Sequence, residues 1–238
     1  MGAISFERCK TGIVGFDNIT EGGLIRNSVN VLLGGPGAGK TTFLLNFLWN
    51  GATMFGENGL FISFEPDVDN LFQDGMNYGW NFSALESKGF CKFIKLSPKT
   101  NIRDLKTELT SLISRGDIRR VCFDPISILT MEMEKEVDIR EMIFDLTSLL
   151  KRLNVTVLLS DESIEGSTSV CSSNEGQART EAMKFLCDGL IVMYSSGLGG
   201  ETDRAIRVTK MRRTNHVRGP VPFKITDKGI YVLNDSRN

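Results

Sequence analysis

The stretch "SVNVLLGGPGAGKTTFLLNFLW", residues 28–49, decides how the rest of the chain is read. Ser28 to Leu33 form a short β-branched and apolar run, the composition of a buried strand. Glycine then fills four of the next six places, Gly34, Gly35, Pro36, Gly37, Ala38 and Gly39, and Lys40, Thr41 and Thr42 follow. From Phe43 onward the apolar residues recur at helical spacing. Gly34, Gly39, Lys40 and Thr41 satisfy G-x-x-x-x-G-K-[ST] in full, between a strand and a helix as the motif requires. Glycines let the backbone turn so that successive N–H groups face inward around a phosphate. The helix start adds the positive end of its dipole. Lys40 is expected to reach the β- and γ-phosphates of a nucleotide, and the Thr41 hydroxyl to ligate magnesium.

Outward from this loop, strand and helix signals alternate. "GLFISF" (59–64), "FCKFIKL" (90–96), "RVCFD" (120–124) and "VTVLLS" (155–160) read as strands, and 102–113 and 137–153 as amphipathic helices. Such alternation predicts an α/β fold, a mostly parallel twisted sheet with helices on both faces. "DGLIVMY", "RAIRVTKM", "VPFKI" and "GIYVL" follow with short breaks, so antiparallel strands are expected at the C-terminal end. Residues 161–177 are Ser-rich and aperiodic and read as a mobile loop. No repeat or Pro-rich linker appears, and residues 1–238 are expected to form a single domain.

A phosphate loop needs a second magnesium contact and a group to direct water. Asp124 ends the strand "RVCFD", where a carboxylate can meet the metal. Glu65 ends "FISFE", where a carboxylate can hold water in line with the γ-phosphate and take its proton. The competing readings are a turn-starting Asp before Pro125 and a helix-capping acid.

The formal net charge is −1 and the isoelectric point is near 6.0, without the basic excess usual in nucleic-acid binders. The five cysteines are odd in number and form no C-x-x-C pair, which points to buried thiols in a reducing compartment. "MGAISFERCK" has no apolar signal core, and no run approaches the ~18 apolar residues of a membrane span. A cytoplasmic protein with no membrane contact is expected.

"TGIVGFDNITEGGLIRNSVNVLLGGPGAGKTTFLLNFLWNGA", "GLFISFE", "NYGWNF", "VCFD", "CDGLIVM" and "KMRRTNHVRGPVPFKITDKGI" together resemble KaiC-like ATPases of the RecA superfamily. The resemblance covers almost the whole chain. It implies a RecA-like P-loop NTPase core, binding of ATP and Mg2+, slow hydrolysis and a hexameric ring. Three departures stand out. Glu65 is followed by Pro66 where the clock proteins carry a second glutamate. Lys184 and Phe185 occupy the places of a self-phosphorylated Ser-Thr pair, and Arg213 replaces the glycine of a "KMRGT" form.

From Arg204 to Lys224 there are seven basic residues and no acidic one. Strand alternation is expected to put Ile206, Val208, Lys210 and Arg212 on one face, so that the two cations continue an apolar surface and need an anion. The family resemblance implies that Lys210 and Arg212 reach a neighbouring subunit's γ-phosphate, and His216 can pack against the same nucleotide. A solvated basic edge strand is the plainer alternative. The expected function is therefore a magnesium-dependent oligomeric ATPase acting as a signalling or regulatory switch. A recombinase-like or accessory DNA-binding ATPase is the alternative. Residues 161–177 carry four acids and no base, and 131–141 five acids against two bases, the wrong sign for phosphate contacts. DNA binding is expected to be weak or absent. A nonhydrolysing ATP-dependent scaffold is a third reading, suggested by Pro66.

Overall fold

Every residue of Val29–Gly34 is buried, which six consecutive residues achieve only when both faces of a strand are covered. The computed structural model describes residues 6–97, 99–133, 135–162, 174–197, 200 and 203–233. A small antiparallel pair, β1 (Arg8–Cys9) and β2 (Leu24–Ile25), brackets the short helix α1 (Phe16–Ile19). The main run is then β3 (Val29–Gly34), α2 (Lys40–Met54), β4 (Asn58–Ser63), α3 (Val68–Met76), α4 (Phe82–Ser87) and β5 (Cys91–Lys95). It continues through α5 (Ile102–Gly116), β6 (Ile118–Asp124), a 3-10 turn at Ile126–Thr130, α6 (Glu136–Arg152) and β7 (Thr156–Glu162). Helix α7 (Asn174–Leu186) leads into β8 (Gly189–Ser195), β9 (Arg204–Met211), β10 (Val221–Thr226) and β11 (Gly229–Val232).

Nine strands make one sheet in the order β11-β10-β9-β8-β3-β7-β6-β4-β5. The six strands from β8 to β5 in that order are parallel, and β9, β10 and β11 are added antiparallel. This is the mixed sheet that the sequence pattern led us to expect. Period-two alternation divides the core. Leu32, Phe61, Cys122, Leu158 and Ile191 face the cluster built around α2. Val31, Leu33, Ile62, Phe123 and Leu159 face the cluster under α5, α6 and α7.

One charged residue is built into this frame. Arg120, 1% exposed, donates to Glu57 (2.7 Å), the Phe47 carbonyl (2.9 Å) and the Lys10 carbonyl (2.8 Å). Its guanidinium also lies 4.5 Å from the centre of the Phe47 ring. It thereby ties the N-terminal segment and α2 to β6.

Two expectations are corrected. The stretch 161–177 is not loop throughout: Asp161 and Glu162 end β7, and α7 begins at Asn174. The remainder, 163–173, lies outside the described residues. Nor do Lys210 and Arg212 share a face with Ile206 and Val208. Leu190 pairs with Lys210 but Ile191 with Val208, so Thr209 is an extra residue, a β-bulge that inverts the alternation. Met211 now joins Ile206 and Val208 in the α2-side core, and Lys210 turns to the opposite face. β9 is an inner strand at Ala205 and Ile206, where β10 pairs with it, and beyond them Lys210 and Met211 pair with β8.

Candidate nucleotide site

The loop 34–39 leaves the C-terminal end of β3 and opens α2. Gly37 (φ 74°) and Gly39 (φ 96°) occupy the left-handed region that favours glycine. A methyl group built on Gly35 or Gly37 would meet nothing within 4 Å, so this side of the loop borders open space. On Gly34 it would lie 2.7 Å from the Met193 carbonyl oxygen, because β8 runs alongside. No side chain caps the start of α2, which leaves its first N–H groups directed at the loop. Lys40 Nζ donates to the carbonyls of Gly34 (2.8 Å) and Gly35 (3.1 Å), holding its ammonium over the loop.

Asp124 comes from β6, two strands away, and is 5% exposed. Thr41 Oγ1 donates to its Oδ2 at 2.7 Å, and Ser160 Oγ, from the intervening β7, donates to its Oδ1. Burial pushes the Asp124 carboxyl above the ordinary carboxylate range, while the Ser160 and Thr41 hydroxyls and the Lys40 ammonium pull it back. The donor set fits magnesium. It offers hard oxygens only, and because Thr41 spends its one proton on Asp124, its lone pairs remain for a cation.

Glu65 stands two residues beyond β4, on the same sheet edge as Asp124. Ser63 pairs with Asp124, and the Phe64 N–H donates to the Asp124 carbonyl at 3.0 Å. Ser63 Oγ donates to the Pro66 carbonyl (2.6 Å), so the turn carrying Glu65 is pinned while its side chain is exposed. Asp161, an alternative water-directing acid, is on the other face and is bound by Arg179 Nε at 2.8 Å.

The basic residues do not join this site within one chain. Gly189 pairs with both Asn30 and Met211, and the Arg212 N–H donates to the Asp188 carbonyl, while the Asp188 N–H donates to that of Val29. Arg212 is therefore level with the start of β3, five residues or about 16 Å below Gly34. Lys210 Nζ donates to the carbonyls of Lys184 and Cys187, both at 2.7 Å, and Arg212 to that of Phe185 at 3.0 Å and to Asp188 at 3.3 Å. Both cations thus cap the C-terminus of α7, where the helix dipole favours them. Arg213, in the glycine place, has φ 58° and lays its guanidinium 5.0 Å from the centre of the Phe6 ring. The partly exposed His216 ring packs back on its own turn, with Nδ1 3.1 Å from the Val217 carbonyl oxygen.

Ser160 escaped sequence reading. Its signal was a lone hydroxyl at the tip of the apolar run "VTVLLS", but its partner lies 36 residues away and only the sheet order joins them.

A glycine-rich loop between a central parallel strand and a helix, with a carboxylate from the next strand but one on its threonine, defines a P-loop NTPase of RecA-like architecture. The family described as "ATPase: KaiC" matches residues 9–237, and the chain belongs to it. Among its relatives, the circadian clock oscillator protein KaiC of Nostoc sp. (strain PCC 7120) is 31% identical over 236 residues, 95% of this chain and 44% of that protein. The protein of the same name from Synechococcus elongatus is 28% identical, again over 95% of this chain and 44% of that protein. The chain thus spans less than half the length of these relatives. The crystal structure of a KaiC-like protein from Pyrococcus horikoshii OT3 matches with a TM-score of 0.82 at 29% identity, covering 97% of this chain and 100% of that one.

Proposed function

We propose that the chain binds ATP with magnesium, hydrolyses it slowly, and works as an oligomeric regulatory switch whose nucleotide is shared between neighbouring subunits of a six-membered ring. The observation that carries this reading is the distance between a complete phosphate loop and the Lys210–Arg212 pair. Arg212 is about 16 Å and Lys210, level with Val31, about 10 Å down the sheet from Gly34, both at the end of the second strand over and held at the end of α7, so a phosphate contact by Arg212 requires a second copy.

In this reading the loop N–H groups and Lys40 hold the β- and γ-phosphates, and Thr41 and Asp124 hold the metal. Magnesium held by these two residues would offset phosphate charge. Glu65 accepts the proton of the attacking water. Lys210 and Arg212 leave the end of α7 and offset charge on the neighbour's transferring phosphoryl group, a task to which the arginine fork is suited. His216 stands six residues beyond Lys210 and flanks that nucleotide. A cytoplasmic location belongs to the same proposal, and no described helix is long and apolar enough to cross a membrane.

The recombinase-like reading is disfavoured by charge. Glu132, Glu136, Asp138 and Glu141 cluster after the 3-10 turn, where phosphate contacts would need the opposite sign. Light scattering after size exclusion tests the proposal. ATP with magnesium should convert the chain to a ring of about six copies, and single-stranded DNA should not co-elute at physiological salt. A monomer at all nucleotide concentrations would refute the ring, and tight DNA retention would favour the recombinase-like reading.

A further inference from the structure

Serine is an unusual occupant of a fully buried strand position unless its hydroxyl is used. Ser160 is 0% exposed and ends an otherwise apolar run in β7. That strand lies between the one that carries the phosphate loop and the one that carries Asp124. Leu32 pairs with Ser160, and Phe123 with Leu159, so Ser160 is level with Asp124 on the adjacent strand. Alternation then sets Ser160 on the α2 face with Asp124, and Asp161 on the other.

We infer that Ser160 is a positioning residue for the metal site, fixing the Asp124 carboxylate so that Thr41 presents its oxygen to the cation; this rests on the ATP–magnesium reading above. The proton count supports it. A serine and a threonine hydroxyl each carry one proton, and both are spent on Asp124, one on each oxygen. The carboxylate is therefore held at two points and cannot rotate about its own Cβ–Cγ bond without losing one of them. If it rotates, Thr41 loses its acceptor and its lone pairs are no longer aimed at a cation. Ser160 is itself held from behind. On the opposite face Arg179 bonds Asp161 and reaches on to the Thr130 hydroxyl at 3.0 Å, which anchors the tip of β7. The hydroxyl thus stands between two rigid strands, where it can act on Asp124 without touching the nucleotide.

The test measures metal binding rather than turnover. Mn2+ is titrated by electron paramagnetic resonance into protein holding ATP, for the wild type and for Ser160→Ala, Ser160→Cys and Ser160→Thr. Losing one hydrogen bond to a charged group should raise half-saturating Mn2+ about 10- to 100-fold in Ser160→Ala. Ser160→Thr, which keeps the hydroxyl, should stay within about 3-fold of wild type, and Ser160→Cys, a weak donor, should fall between. ATP binding in EDTA should be equal in all four. Wild-type Mn2+ half-saturation in Ser160→Ala overturns the inference, and so does an equal loss of binding in EDTA, the mark of a merely structural residue. If Ser160→Ala does not fold, Ser160→Cys decides: Mn2+ half-saturation equal to wild type overturns the inference. Nucleotide binding in the wild type without any effect of metal refutes the inference alone. No nucleotide binding at all refutes the parent reading with it.

Discussion

Replacing Lys40 with alanine separates binding from folding cleanly. In the nucleotide-free chain the ammonium makes two hydrogen bonds, to the Gly34 and Gly35 carbonyls, in a partly exposed loop where water can replace it. Their loss should cost about 1 kcal/mol or less. Against a bound triphosphate the same group offers two charge-assisted bonds, each contributing about 1.5–3 kcal/mol. Together that is about 3–6 kcal/mol, or roughly 10²–10⁴ in affinity. Thermal melting with and without Mg-ATP reads both quantities. A chain of 238 residues has an unfolding entropy near 0.5 kcal/mol per degree. ATP at a hundred times its dissociation constant adds about 2.7 kcal/mol, a rise of about 5 °C in wild-type melting temperature. Lys40→Ala should melt within about 2 °C of wild type without nucleotide and rise by less than about 1 °C with it. A rise equal to wild type would refute the assignment of the phosphate site.

Glu65→Gln should bind ATP as wild type and lower turnover by about 10²–10⁴-fold, the loss typical of a missing general base; unchanged turnover would move that role elsewhere. Arg120→Ala removes the buried partner of Glu57 and orphans two carbonyls, so it should destabilise by about 3–5 kcal/mol, measured by urea denaturation. Burial raises the thiols of Cys91 and Cys187 to about 12 and that of Cys9 to about 11, and pushes Cys122 well up. Thiolate is the reactive form, so iodoacetamide at pH 8 should leave these four unmodified in the native chain and alkylate them in urea, as read by peptide mass spectrometry.

The nine strands of the main sheet and the helices α2, α5 and α6 were legible because their apolar residues sit at the right period, as in Val29–Gly34 and Ile102–Gly116. The phosphate loop was legible because its chemistry is local. What escaped was long-range or a matter of single residues. Helix α7 was hidden in a polar stretch whose apolar residues make no clear stripe, and Ala182 and Met183 lie on its buried side. The face of Lys210 depends on Thr209, one extra residue in a ladder that no spacing rule reveals. Arg213, by contrast, was flagged by position: it stands where a glycine is common, and its backbone is left-handed as a glycine's would be.

Whether Lys210 and Arg212 act on a neighbour's nucleotide is read most directly by subunit mixing. Arg212→Ala should bind ATP but hydrolyse it poorly, since such a finger contributes about 10³–10⁵ in rate in other phosphoryl-transfer systems. Lys40→Ala should keep its finger and hold no ATP. After subunit exchange, verified by native mass spectrometry, each mixed boundary can join an intact phosphate loop to an intact finger. If the pair acts across the subunit boundary, activity should reappear and peak near equal proportions of the two variants. Exchanged rings that stay inactive at every ratio would contradict it, and would leave the pair as the cap of α7 alone.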